Sequence, residues 1–240
     1  GHFSRLQRSL SELDMATPLN HDALLSAHRN IIDKNNVNQG LIYLQITRGS
    51  AGDRDFIFPD PETTTQTVVM FSQNKENLVD NPSAVSGIKV ISIEDQRWGR
   101  RDIKTTQLLY PSIGKMMAQK LNADDAWMVE DGYVTEGTSN NAYIIKDGKI
   151  ITRAKSYAIL HGITRSAIIR FAEEAEMEIE ERNFSINEAI NADEAFITSA
   201  SSFVTPVVNI DGQNISHGSP GPMTQRLRKI YLDESMKTAI

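Results

Sequence analysis

Short apolar runs separated by turn-forming residues constrain this chain more than any other feature. Residues 41–47, 67–71, 87–93, 126–129, 142–145, 195–198 and 207–210 are runs of four to seven residues rich in Val, Ile, Phe and Tyr. That length and that β-branched and aromatic content are those of strands. Asp147-Gly148, between Ile145 and Ile150, is the dipeptide of a tight hairpin turn, and Asp211-Gly212 gives a second. Helical periodicity occupies much of 1–36, then 104–122, 164–176, 186–192 and 223–239. Asn20 is the expected N-cap of a helix over 21–35, and 41–47 reads as a buried strand. The strands do not recur at regular βαβ spacing, so the expected fold class is α/β in the broad, α+β sense. A polar stretch from Asn74 to Pro82 divides the chain into a small α/β domain at 1–76, a linker at 77–82 and a large domain at 83–240.

Composition narrows the function. There is no cysteine, which removes disulfides, thiolate-held metals and a thiol nucleophile. The five histidines, His2, His21, His28, His161 and His217, include no pair one helical turn apart, so no His-pair metal motif exists. A net charge of −6 argues against a general nucleic-acid binder. No apolar run approaches the ~20 residues of a membrane span, and neither a dinucleotide-binding nor a P-loop glycine pattern is present. A cytoplasmic enzyme or binding protein is the expectation.

Three segments have the residue types of a cofactor site. Lys104, in Asp102-Ile103-Lys104, is expected at a strand-to-helix junction, where partial burial would lower its pKa toward that of an imine-forming lysine. Glu136, in Val134-Thr135-Glu136-Gly137, lies between an apolar run and small polar residues, where a carboxylate can pair with a protonated ring nitrogen. Gly162-Ile163-Thr164 opens a helix whose first amides can hold a phosphate, and Ser199, Ala200, Ser201 and Ser202 follow a strand and can add donors. Taken singly, each has a plain structural reading: a surface lysine, a polar turn, a helix capped by Thr164. Together they match the protein-side needs of pyridoxal 5′-phosphate.

The motifs HFSRLQRSL, ITRG, EDQRWGRRDIK, VTEGTSNNAYI, LHGITR and ITSASSFVTPV span nearly the whole chain in this order. In them the sequence resembles the class IV (fold type IV) pyridoxal-phosphate aminotransferases, and among them the D-amino-acid transaminases. The resemblance implies a two-domain fold whose small domain begins roughly 40 residues before Gly1, so the chain is expected to start inside that domain. It implies that Lys104 binds the cofactor as an imine and shuttles the substrate's α-proton. Glu136 would hold the pyridine nitrogen. Arg5, Ile163, Thr164, Ser199 and Ala200 would hold the phosphate, and Leu160 would lie against the ring.

Two positions depart from the family pattern. Where D-transaminases often carry an Arg-x-His pair for the substrate carboxylate, this chain has Arg54 and Phe56; Ala200 replaces a usual threonine. The implied reaction transfers the amino group of a D-amino acid to a 2-oxo acid by a ping-pong route in a homodimer. Branched-chain L-amino-acid transaminase, (R)-amine transaminase, aminodeoxychorismate lyase and an inactive cofactor-binding chain are the alternatives. Arg97, Arg100 and Arg101 around Trp98 read as structural pairs or a dimer contact, and the glutamates of 173–181 as a solvated face. His161 reads equally as a surface residue or as a neighbour of the cofactor.

Overall fold

In the computed structural model, which describes residues 1–53 and 55–237, the chain divides into two compact units, Gly1–Val79 and Asp80–Ile240. The first carries helices α1 (His2–Ser11) and α2 (His21–Lys34) and strands β1 (Gly40–Thr47) and β2 (Thr67–Asn74). Asp14, at φ 50°, breaks the helical pattern between α1 and α2. Asn20 caps α2, its Oδ1 accepting from the Ala23 amide at 2.8 Å. β1 and β2 pair antiparallel from Gly40↔Asn74 to Thr47↔Thr67. The expected burial of 41–47 is not found, because among the described residues β1 has β2 as its one strand neighbour. Its Tyr43 stacks on Phe71 with ring centres 4.8 Å apart, and both rings stay exposed.

The second unit contains α3 (Pro82–Ser86), β3 (Ile88–Glu94), α4 (Leu109–Lys120), β4 (Asp125–Glu130), β5 (Tyr133–Gly137), β6 (Asn141–Lys146) and β7 (Lys149–Thr152). It continues with α5 (Ile163–Glu174), β8 (Ile179–Glu181), α6 (Ile186–Ile190), β9 (Glu194–Ser199), β10 (Phe203–Ile210), β11 (Gln213–Asn214) and α7 (Pro222–Lys237). Among the described residues the strands form one sheet ordered β5-β4-β3-β10-β9-β6-β7-β8, with β11 beside β10. β5 and β6 follow each other in the chain, yet β4, β3, β10 and β9 lie between them in that order. A short turn joins them, and the Gly137 amide donates to the Asn140 carbonyl at 2.9 Å. The sheet must therefore curl until these two strands meet.

Burial of apolar strand faces drives this curl. Trp127, Val134, Ile144, Phe184, Val207 and Ile210 share one core cluster. Tyr143, Ile145, Ile168, Ala172, Phe196 and Leu227 share a second, which seats α5 and α7. The turn at Asp147-Gly148 forms as expected, with φ of 50° and 78°, the two left-handed positions of a type I′ hairpin. β10 includes Pro206, which pairs with Phe196 of β9; pairing of β10 with β3 starts one residue later, at Val207. A proline has no amide to give a second neighbour, so its position fits the point where β10 still has one.

One helix begins later than its periodicity suggests. The pattern over 104–122 yields a helix only from Leu109, because Pro111 is tolerated in a first turn and breaks an interior one. Lys104 consequently lies in an irregular segment five residues before the helix, and it is exposed rather than partly buried.

Candidate active site

Glu136 is the centre of the buried polar cluster in the second unit. It lies within β5, not in a turn between strands, and is 4% exposed. The strand places its carboxylate among three donors. Oε1 accepts from Arg97 Nη1 at 2.7 Å. Oε2 accepts from Asn141 Nδ2 and from the Leu160 amide, each at 3.0 Å. Asn141, the first residue of β6, also donates to the Leu160 carbonyl at 2.9 Å. One amide side chain thus ties β5, β6 and the 153–162 loop together.

Arg97, read from the sequence as making a structural pair or a dimer contact, makes structural pairs here, and one of them is with Glu136. Its Nε and Nη2 donate to Asp95 at 2.9 and 2.7 Å, while Nη1 reaches Glu136. The Thr135 hydroxyl donates to Asp95 at 2.7 Å. Arg101 lies 3.6 Å from the same carboxylate and 2.7 Å from Glu130. Burial pushes Asp95 up, but the hydrogen bonds and charge of Arg97, with Thr135 and Arg101, outweigh it and hold the carboxyl below its usual range. At Glu136 burial wins over Arg97 and Leu160, and its pKa rises to about 7. The two carboxylates share one guanidinium, yet differ because Asp95 has the bidentate face and a second arginine.

The other expected segments converge on Asn141. A Cβ at Gly162 would sit 2.3 Å from Asn141 Oδ1, so the start of α5 packs directly against the residue that holds Glu136. Gly162, not Thr164, occupies the N-cap position, and no side chain caps this helix. Its first amides therefore lack a side-chain acceptor and retain the affinity of a helix start for an anion. Asn141 pairs in register with Thr198 of β9, which places the turn at Ser199 one residue further on. There Ser199 Oγ accepts from the Ser202 amide at 3.1 Å and lies 2.7 Å from the Ser202 hydroxyl. Glu136, Asn141, Leu160, Ile163, Thr164, Ser199 and Ala200 are thus gathered at one margin of the curled sheet.

Lys104 follows a segment that is anchored at residues 100–103. Ile103 is buried, and the Arg101 amide donates to the Tyr157 carbonyl at 3.0 Å. Arg100 pairs with Asp102 and lies over the Tyr157 ring at 4.4 Å. Arg5 lies on α1 in the first unit, where burial and the neighbouring Arg8 lower its pKa. Phe56 is exposed. Arg54 lies outside the described residues. Of the remaining groups, His161 is half-buried, its ring nitrogen 3.2 Å from the Ser156 carbonyl. Among the described residues no group of acidic and histidine side chains has the arrangement of a metal site. Nor does any helix among them have the length and apolarity to cross a membrane.

Residues 1–210 match the family model described as amino-transferase class IV. The chain belongs to the class IV aminotransferases. A D-alanine aminotransferase of Bacillus licheniformis is 37% identical over 99% of this chain and 83% of its own length. That of Staphylococcus haemolyticus is 38% identical over 95% of this chain and 79% of its own. Among solved structures, a T.th. branched-chain amino acid aminotransferase with pyridoxamine 5′-phosphate superposes with a TM-score of 0.87 at 26% identity. The match covers 99% of this chain and 79% of that one. This class IV chain is an aminotransferase, and its cofactor is pyridoxal 5′-phosphate.

Proposed function

We propose that this aminotransferase moves the amino group of a D-amino acid to a 2-oxo acid, and that Glu136 anchors the pyridoxal 5′-phosphate ring. The observation that carries the reading is the setting of Glu136. A carboxylate has about four acceptor positions, and Arg97, Asn141 and Leu160 use three. One remains for a ring N–H. The raised pKa of Glu136 fits the same partner, since a cationic ring nitrogen would draw the buried carboxyl back to its ionised form. The uncapped start of α5 and the Ser199 turn fit the phosphate. The bound cofactor supplies an electron sink that acidifies the substrate's Cα–H.

The chain's own groups then divide the work. Lys104 Nζ would hold the cofactor through its carbonyl carbon with loss of water, and as a free amine would take the proton from the substrate's Cα. Glu136 would keep the ring nitrogen protonated. The amides of Ile163, Thr164 and Ala200, with the Ser199 hydroxyl, would hold the phosphate, a role also assigned to Arg5. Leu160 would bear on the ring. Arg54 and Phe56 are assigned to the substrate's carboxylate end, with Phe56 excluding water where a histidine would donate.

The D-alanine aminotransferases, at 37% and 38% identity, support the D-amino-acid reading over the branched-chain one, which shares the fold at 26%. A cytoplasmic homodimer completes the proposal. Exposed Leu109, Ile113, Met116 and Met117 on α4 give an apolar face for a second copy to cover. The test is the visible absorption of the purified protein. D-alanine is expected to bleach the cofactor–lysine band while L-leucine leaves it, and Lys104→Ala is expected to lack the band. Bleaching by L-leucine alone would overturn the substrate assignment.

A further inference from the structure

Phe203 has φ of 59°, the left-handed region that a bulky aromatic residue enters only when its surroundings hold it there. It is the residue directly after the Ser199–Ser202 turn and the first of β10. Arg228, on the second turn of α7, accounts for the restraint. Its Nη1 donates to the Ser202 carbonyl at 2.9 Å and to the Val204 carbonyl at 2.7 Å. These are the carbonyls on either side of Phe203. The Phe203 ring lies against the same helix, 5.7 Å from the Arg228 guanidinium and 5.7 Å from the Tyr231 ring. The Thr205 hydroxyl adds a third hold on this stretch, donating to the Ser202 carbonyl at 3.0 Å. α7 itself is pinned to the other end of β9. Glu194, the first residue of that strand, accepts from the Met223 and Thr224 amides at 2.9 and 2.8 Å.

We infer that Arg228 is a positioning residue for the cofactor's phosphate: by gripping the backbone on both sides of Phe203, it fixes the turn whose Ser199 hydroxyl and Ala200 amide face that group. The inference rests on the phosphate assignment proposed above. A short turn left to itself samples many conformations, and each donor aimed at an anion in advance spares ordering at binding. Ala200 offers an amide and no hydroxyl here, so the aim of the backbone sets the strength of the contact. Arg228 touches neither cofactor nor substrate in this role, and its effect falls on the phosphate and not on the ring.

The full chain, freed of cofactor, is titrated with pyridoxal 5′-phosphate and separately with pyridoxal, which lacks the phosphate. Arg228→Met keeps the aliphatic stem and removes both donors. It is expected to weaken pyridoxal 5′-phosphate binding by roughly tenfold or more while pyridoxal binding changes little. Arg228→Lys, with a single ammonium, is expected to fall between. Equal losses for both ligands, or an unchanged preference for the phosphate, would overturn the positioning role and leave the phosphate site standing. Should the wild-type chain itself bind both ligands equally, the phosphate assignment falls, and the inference with it. If Arg228→Met does not fold, the Arg228→Lys preference decides.

Discussion

Removing Arg97 should expose how much of the Glu136 site depends on one guanidinium. In Arg97→Met, Asp95 loses two hydrogen bonds and Glu136 loses one, all between 2.7 and 2.9 Å. Both carboxylate side chains are at most 5% exposed. Asp95 keeps Arg101 at 3.6 Å and the Thr135 hydroxyl, whereas Glu136 keeps only neutral donors among the contacts described above. Breaking a buried ion pair from one side costs about 3–5 kcal/mol.

The pH dependence gives this prediction its sign. Folded Glu136 titrates near 7, above the 4.5 of an ordinary glutamate, so the native state holds more protons and loses stability as pH rises between those values. Without Arg97 the folded pKa moves higher still. The loss then continues above pH 7 at about 1.4 kcal/mol per unit until the new pKa is passed. The destabilisation by Arg97→Met should therefore be larger at about pH 8.5 than at about pH 6. Urea unfolding of the cofactor-free protein, followed by the fluorescence of Trp98 and the fully buried Trp127, measures it within the unit that holds the cluster. A destabilisation below about 1 kcal/mol, or one equal at both pH values, would refute the account of a shared buried cation.

Two further outcomes follow from local geometry. Gly162→Ala puts a Cβ 2.3 Å from Asn141 Oδ1, so Asn141 must give up its bonds to Glu136 and Leu160. The expected cost is about 2–4 kcal/mol, read as a fall in melting temperature of roughly 5–15 °C, and a melting curve like wild type would show that the contact yields cheaply. Asn20→Ala removes the cap of α2 and should cost about 0.5–2 kcal/mol. Hydrogen exchange should quicken at the α2 amides and stay unchanged in α5; uniform acceleration would contradict a local effect.

Much of the candidate site was legible in the sequence. Glu136 stood out because a lone carboxylate followed apolar Val134 and preceded a run of small polar residues. The start of α5 stood out because Gly162 preceded strong helical periodicity. Other features were hidden for physical reasons. Arg97 reads as one of several arginines near Trp98, since its partner Glu136 is 39 residues away and only strand packing brings them together. The late start of α4, which leaves Lys104 ahead of the helix, came from Pro111, whose effect on the first turn outweighs the apolar spacing around it. The half-exposed β1 followed from its having one strand neighbour, a property of the sheet and not of residues 41–47.

By itself the sequence determined seven of the strand-forming runs, the tight turns at Asp147-Gly148 and Asp211-Gly212, the cap at Asn20 and the order of the family's motifs, whereas β5, β8 and β11 are strands that its apolar runs did not mark. These are local properties, set by side-chain shape, by backbone preference and by hydrogen bonds a few residues apart. Tertiary structure alone decided that β5 and β6 meet across a curled sheet, that Asn141 braces Glu136 against α5, and that Arg97 serves two carboxylates. It also decided that Arg228 reaches back to the turn after β9. Those contacts join residues far apart along the chain: 39 positions separate Arg97 from Glu136, and 26 separate Arg228 from Ser202. They exist because burying the apolar faces of the strands leaves each polar group inside with a small set of partners that can satisfy it.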